Sequence, residues 1–229
     1  MILDGKSLNK ISKVTGIKKT TIYYYMRKKL GRKYLPLTLR LEDLELVGEV
    51  IGFFAGDGGL FHDLKRGQWH VRFSFNKNEV KVIEHYTESL RQFTGKRAFR
   101  YDNESVTILY YNSKILSKFY SDYLEWEKRK GVTVRLRDKN LLKNKKFITG
   151  FIRGLTDSDG YVRKGRKEIY FGSVSEKLSN DFVKGLEFFG LKSKTYIQKR
   201  VNHLDFNKIR LSGLEVDKFI SIFHPIKAL

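Results

Sequence analysis

The sequence predicts an α+β protein made of two related halves, preceded by a small helical segment. Three observations carry that expectation. A stripe of small residues at four-residue spacing occurs twice, each copy ends on Asp-Gly, and the same order of strands and helices follows both. The first copy is LVGEVIGFFAGDGGL, from Leu46 to Leu60, and the second is FITGFIRGLTDSDGYV, from Phe147 to Val162. Gly150, Gly154, Ser158 and Asp159 each stand 102 positions after Gly48, Gly52, Gly56 and Asp57.

A spacing of four places Gly48, Gly52 and Gly56 on one helical face, and likewise Gly150, Gly154 and Ser158. Glycine inside a helix costs roughly 0.5–1 kcal/mol relative to alanine, so a row of them needs a compensating contact. Close approach of a second helix supplies it, as small-residue stripes do between membrane helices. The apolar run here is too short for a membrane, which leaves the other copy as the partner across a pseudo-twofold axis.

The elements after each stripe correspond. HVRFSFN (70–76) alternates as a strand, with a partner near residues 58–64. EVKVIEHYTESLRQFTG (79–95) reads as a helix ending on a glycine cap. KRAFRYD pairs with SVTILYY, and KILSKFYSDYL (114–124) closes the half as a helix. The second half repeats this with KEIYFGSV (167–174), a partner near 160–164, EKLSNDFVKGLEFFG (176–190), the pair KSKTYIQKR and NKIRLSG, and LEVDKFISIF (214–223). Each half therefore reads α-β-β-α-β-β-α. The divisions are 37–124 for the first half, 125–146 for a connector with nine Lys or Arg, and 147–229 for the second half.

Residues 1–36 form a separate segment in which SLNKISKVTGIKKTTIYYYMRKKL (7–30) reads as a helix-turn-helix. Leu8, Ile11 and Val14 make an apolar stripe, Gly16 the turn, and Thr20 or Thr21 a cap. The second helix holds Lys18, Lys19, Arg27, Lys28 and Lys29 beside three tyrosines, and Leu35-Pro36 ends the segment.

Lysine and arginine number 46 against 25 acids, a net charge of +21. Such a surplus points to a polyanionic partner, because cationic contacts to phosphates release counterions. A ribosomal-type cationic protein accounts for the charge but not for the repeated glycine stripe. With no cysteine, disulfides and thiolate zinc sites are excluded. Histidines 62, 70, 85, 203 and 224 lack the spacing of a helical metal site. There is neither a signal-peptide pattern nor a run of ~18 apolar residues. The expectation is a soluble intracellular protein, cytoplasmic and associated with the nucleoid, with no membrane partner.

Asp57 and Asp159 fall near helix C-termini, where the macrodipole already disfavours an anion. Packing the two stripes brings both carboxylates to one end of the interface, and like charges so placed need protons or cations. Divalent metals meet that need and also carry out phosphodiester hydrolysis, most simply Mg²⁺ held by carboxylate, carbonyl and phosphate oxygens. Taken singly, either Asp-Gly reads as a turn into a hairpin strand. Asp157 has no acidic counterpart, since Ala55 holds the matching position, and it reads as a hydrogen-bonding structural residue.

The segments VIGFFAGDG and IRGLTDSDG resemble the two motifs of single-chain LAGLIDADG homing endonucleases, of the kind encoded within archaeal introns. The likeness runs over residues 42–225, and the first motif departs from the pattern at Ala55. The resemblance implies a monomeric saddle of two β-sheets straddling duplex DNA with a long asymmetric target. The motif helices form its central interface. It also implies cleavage of both strands across the minor groove, leaving short 3′ overhangs. On this likeness Asp57 and Asp159 are the metal-binding catalytic acids, and the carbonyls of Gly56 and Ser158 are further ligands. Mg²⁺ is the cofactor, with Mn²⁺ or Ca²⁺ substituting for binding. Lys77 fits the place of a lysine that helps activate water. Val174 stands opposite it in the second half, where Arg163, Lys164 and Lys199 are open alternatives.

Strand alternation selects the side chains that face DNA. With Val71, Phe73 and Phe75 inward, Arg72, Ser74 and Asn76 face out. Lys194, Tyr196, Gln198 and Arg200 form one set in the second half, and Lys208, Arg210 and Ser212 another. Arg and Gln suit base edges and Lys suits phosphates. A sequence-specific DNA-binding regulator and an RNA-splicing maturase on the same scaffold are the competing readings. Retention of both acids favours the nuclease.

Overall fold

The computed structural model describes residues 8–30, 37–65, 67–199 and 204–228. Leu35-Pro36, Arg200 and His203 lie outside the described residues, as do the side chains of Lys29 and Lys164. The chain divides into two compact units, Met1–Pro36 and Leu37–Leu229.

In the first unit α1 (Leu8–Thr15) and α2 (Lys19–Leu30) are joined through Gly16, whose φ of +69° turns the chain. Of the expected apolar stripe only Ile11 is buried, together with Ile22 of α2, while Val14 is 66% exposed. Thr20 and Thr21 do not cap α2 but lie inside it. The turn closes earlier: Thr15 Oγ1 accepts from Ile17 N at 3.3 Å, and the Lys18 carbonyl already accepts from Ile22 N at 3.1 Å.

The second unit begins with α3 (Leu44–Asp57), β1 (Gly58–Asp63), β2 (Gln68–Asn76), α4 (Val80–Thr94), β3 (Phe99–Asp102), β4 (Val106–Asn112) and α5 (Lys114–Tyr123). A connector follows with β5 (Leu124–Glu125), α6 (Lys130–Thr133) and β6 (Arg135–Leu136). The pattern then recurs as α7 (Lys145–Asp159), β7 (Gly160–Arg163), β8 (Glu168–Ser173), α8 (Glu176–Phe188), β9 (Lys194–Gln198), β10 (Phe206–Ser212) and α9 (Leu214–Phe223). The two four-stranded sheets are antiparallel and share one topology, β1-β2-β4-β3 and β7-β8-β10-β9, while β5 and β6 pair with each other. The α+β class and the two α-β-β-α-β-β-α repeats are as the sequence predicts. No helix among the described residues is long and apolar enough to cross a membrane.

Side-chain caps explain where the helices start. Asp43 accepts from Leu46 N at 3.2 Å, Asn144 from Phe147 N at 3.0 Å and Ser175 from Leu178 N at 3.2 Å. The core of the first half is aromatic, with Phe54 stacked on Tyr120 at 3.9 Å and Phe53 against Tyr86 at 4.1 Å. In the second half Phe171 stacks on Phe182 at 4.3 Å.

The glycine stripes meet backbone to backbone. A Cβ on Gly48 would come within 2.1 Å of the Phe147 carbonyl oxygen, and one on Gly150 within 1.8 Å of that of Glu45. Gly52 stands in the same relation to Phe151 at 2.2 Å, and Gly154 to Glu49 at 2.3 Å. Each contact maps onto its pair-mate through the 102-residue offset, the signature of a twofold relation. One side of the crossing breaks that symmetry. Buried Glu49 accepts from Arg153 at 3.0 Å and from Ser89 at 3.3 Å and contacts His85, and Arg153 also pairs with Glu45.

The connector is more ordered than a solvated basic loop, and α7 already begins at Lys145 within it. Its cations are largely used internally. Arg135 pairs with Glu125 at 2.6 Å, and Lys139 reaches the buried Asp181 at 2.5 Å. Asp181 also accepts from Leu136 N at 2.9 Å.

Candidate active site

Asp57 and Asp159 are the last residues of α3 and α7, and the crossing brings those two helix ends together. A Cβ on Gly56 would lie 2.2 Å from Ser158 Oγ and 2.8 Å from Asp159 Oδ2, so the Asp159 carboxylate rests against the residue before Asp57. Burial raises the pKa of Asp57, and the charge of Glu79 adds to that, while Lys227 and Lys130 oppose it. Asp159 is pushed up to about 7, first by the protein packed around it and then by the charge of Asp57. Its side chain keeps an accessible edge, which faces a cavity of about 270 Å³ lined also by Tyr161, Arg163, Tyr170, Gly172 and Lys208.

A helix end leaves its last carbonyls without partners in the helix. Here two lysines take them. Lys130 Nζ donates to the carbonyls of Phe54 at 2.9 Å, Ala55 at 2.6 Å and Gly56 at 2.8 Å. Lys227 Nζ donates to those of Ser158 at 2.9 Å and Gly160 at 3.3 Å, and lies 3.2 Å from Glu79 Oε1. Burial depresses the pKa of Lys130 to about 8, against the pull of Asp159 and Asp57. Buried Asp157 accepts from Lys227 N at 3.1 Å and Tyr86 Oη at 3.3 Å, and desolvation raises it to about 7.

The donors present suit a hard divalent cation. Two carboxylates and two backbone carbonyls meet at one end of the helix pair, all of them oxygen. Among the described residues no group of three or more His, Cys, Asp or Glu side chains forms a metal cluster. A cation held here would complete its shell with water or phosphate, the habit of Mg²⁺ at phosphoryl sites.

Lys130, Lys227 and Glu79 were not legible as site residues. They lie outside the repeated motifs, and only folding carries them to the helix ends. Lys77 is exposed in the turn after β2, and its charge acts on Asp102 rather than among those acting on either aspartate.

The outer sheet faces extend the expected sets. Across the first sheet Arg72 lies between Gly59 and Tyr110, and Tyr110 faces Phe99, their rings stacked at 5.3 Å. Ser74 is half-buried, and Asn76 uses Oδ1 to accept from Asn78 N at 3.0 Å. Across the second sheet Tyr161, Tyr170, Arg210 and Lys194 form one row, and Gly172, Lys208 and Tyr196 the next. Lys208 Nζ sits 4.2 Å over the Tyr170 ring, and Arg210 pairs with Glu168 at 2.5 Å. Gln198 and Ser212 are exposed. The alternation rule applied to β3, β4, β7 and β8 would have found the aromatic members.

A LAGLIDADG-like domain model matches residues 146–222. A structure of the homing endonuclease I-DmoI in complex with DNA and Mn is 17% identical, with a TM-score of 0.62, covering 81% of this chain and 98% of that one. I-DmoI in complex with DNA and Ca is 16% identical at a TM-score of 0.61, covering 78% and 89%. The N-terminal LAGLIDADG domain of WhiA is 16% identical at a TM-score of 0.52, covering 82% and 86%. Residues 146–222 thus match a LAGLIDADG-like domain, and over 81% of its length the chain has the fold of the homing endonuclease I-DmoI.

Proposed function

We propose that the chain is a divalent-metal-dependent, site-specific endonuclease of double-stranded DNA that acts as a monomer on a long asymmetric target. The observation that carries this reading is the meeting of Asp57 and Asp159 at the ends of two crossing helices, beside a cationic sheet face in a chain of net charge +21. Residues 37–124 and 147–229 would each serve one strand, with 125–146 as connector and 1–36 as an additional DNA-contacting segment.

In this proposal Asp57 and Asp159 bind Mg²⁺, for which Mn²⁺ or Ca²⁺ substitutes in binding, and Gly56 and Ser158 offer carbonyl oxygens. The ion supplies Lewis-acid activation of water and stabilises the leaving oxygen. Arg163 and Lys208, on the wall of the Asp159 cavity, hold the phosphate there. Arg72, Lys194, Gln198 and Arg210 face base edges or backbone, and Lys77 approaches the phosphate from the end of β2. I-DmoI, with DNA and Mn or with DNA and Ca, has the same fold, which supports the reading.

The test is incubation with the uninterrupted form of the protein's own insertion locus and Mg²⁺. Cleavage of both strands at one position is expected. Specific binding without cleavage in Mg²⁺ or Mn²⁺ would hand the assignment to a DNA-binding regulator. A maturase reading draws on the first sheet, where Phe61, Phe99 and Tyr101 are 61%, 55% and 56% exposed and suit stacking on unpaired bases. Tighter binding to the folded intron RNA than to the DNA locus would favour it.

A further inference from the structure

Both backbone carbonyls best placed to help hold a cation, those of Gly56 and Ser158, already accept hydrogen bonds from ammonium groups. The arrangement occurs once per half, yet it is not inherited from the repeat. Lys130 and Lys227 are 97 positions apart, whereas the motif residues are 102 apart. Lys130 comes from α6 of the connector and Lys227 from the segment after α9, so two unrelated pieces of chain deliver the same group to equivalent helix ends. Simple capping of a helix end needs one or two contacts at the last turn and is commonly met by water or a glycine turn. Lys130 instead spends all three of its N–H donors on three successive carbonyls in a part-buried position. Both cations also act electrostatically on both aspartates.

We propose that Lys130 and Lys227 are built-in counter-cations, which hold the carbonyl side of the site in the DNA-free protein so that a divalent cation at Asp57 and Asp159 competes with them. This rests on the reading that those aspartates hold the cation. An ammonium and a divalent ion sharing one carbonyl oxygen would stand a few ångströms apart, where their repulsion is large in a part-buried site. The lysines therefore stabilise the empty acid pair and oppose its loading. An arriving phosphate, itself anionic, shifts the balance toward the metal.

The experiment is equilibrium Mn²⁺ binding to the full-length, DNA-free protein, read by paramagnetic resonance of free Mn²⁺, for the unmodified chain, Lys130→Met and Lys227→Met. Each variant should bind Mn²⁺ about tenfold more tightly, as removal of a nearby like charge requires, and should lose thermal stability that Mn²⁺ restores. Unchanged or weaker Mn²⁺ affinity in the folded variants would overturn the proposal and leave the lysines as helix caps. Lys130→Gln and Lys227→Gln keep a donor for one carbonyl and serve if the methionine variants do not fold. In the unmodified protein the side-chain ammonium resonances of Lys130 and Lys227 should shift on Mg²⁺ addition, and their constancy would also overturn it. If Asp159→Asn leaves Mn²⁺ affinity unchanged, the aspartate reading itself fails, and the competition falls with it.

Discussion

Gly150 of α7 lies so close to the Glu45 carbonyl of α3 that a methyl group in place of its hydrogen would sit 1.8 Å from that oxygen. Neither backbone can yield without unpacking the crossing, because the same approach recurs at Gly48, Gly52 and Gly154. Gly150→Ala is expected to destabilise the protein by about 3 kcal/mol or more, the upper range for overpacking a well-filled interior. Gly165→Ala meets open space and should change stability by less than about 0.5 kcal/mol. Urea unfolding of the two variants checks the contrast, and comparable midpoints would refute the tight crossing.

Asp57→Asn and Asp159→Asn remove one charge each from the paired helix ends with little change of shape. DNA binding in metal-free buffer should persist or strengthen, while cleavage falls by orders of magnitude in both. Residual nicking should differ between the variants, since the first half has Lys77 just after β2 whereas the strand register places Ser175, the cap of α8, and not Val174, at the corresponding point of the second half. Gel analysis of strand-labelled target reads both. Cleavage of both strands at the unmodified rate by either variant would remove that aspartate from the mechanism.

Asp157 gives the protein a pH signature. Its pKa is raised in the folded state to about 7 from an ordinary 3.8. A raised folded pKa means that the folded state holds the proton more tightly. The associated stability is fully present below about pH 3.8 and is lost as pH rises through about 7. Asp157→Asn escapes that loss, so it should stabilise the protein at pH 8 by on the order of 2 kcal/mol and have little effect at pH 4. Thermal melts at the two pH values measure this, and an equal effect at both would show that the carboxyl does not titrate between them.

Lys77→Ala tests a role proposed from the motif likeness alone. A lysine acting on charge that develops in the reaction should lower the cleavage rate about tenfold or more with little change in affinity. Equal losses in rate and affinity would make Lys77 a phosphate-positioning contact, in keeping with its exposed place in the turn before α4.

The net charge of +21 predicts binding to duplex DNA that weakens steeply with salt. The logarithm of affinity should fall against that of salt with a slope of roughly 0.9 per phosphate contacted. Fluorescence anisotropy between low and physiological salt gives that slope, and a flat response would count against a phosphate-lined interface. Sedimentation should show one chain per duplex, the two halves already supplying the pair of motifs.

The sequence by itself determined the two halves, their element order and the crossing of the motif helices. Those features are local or periodic: four-residue glycine spacing, two-residue alternation in β2 and β10, and the left-handed glycines Gly95 and Gly190 that end the helices after β2 and β8. The same logic marked Asp57 and Asp159, because each ends a recognisable stripe. Tertiary structure alone decided what surrounds them. Lys130 comes from the one-turn α6 of the connector and Lys227 from a short helical turn after α9, neither of which carries a period or motif, and Glu79 stands just before α4, so nothing in the order of residues announces a meeting at the helix ends. The one-sided network of Arg153, Glu45, Glu49 and His85 is of the same kind, joining residues from three helices. Backbone periodicity is written residue by residue, whereas the electrostatic neighbours of a carboxylate at a helix crossing are set by which distant segments the packed core brings within a few ångströms.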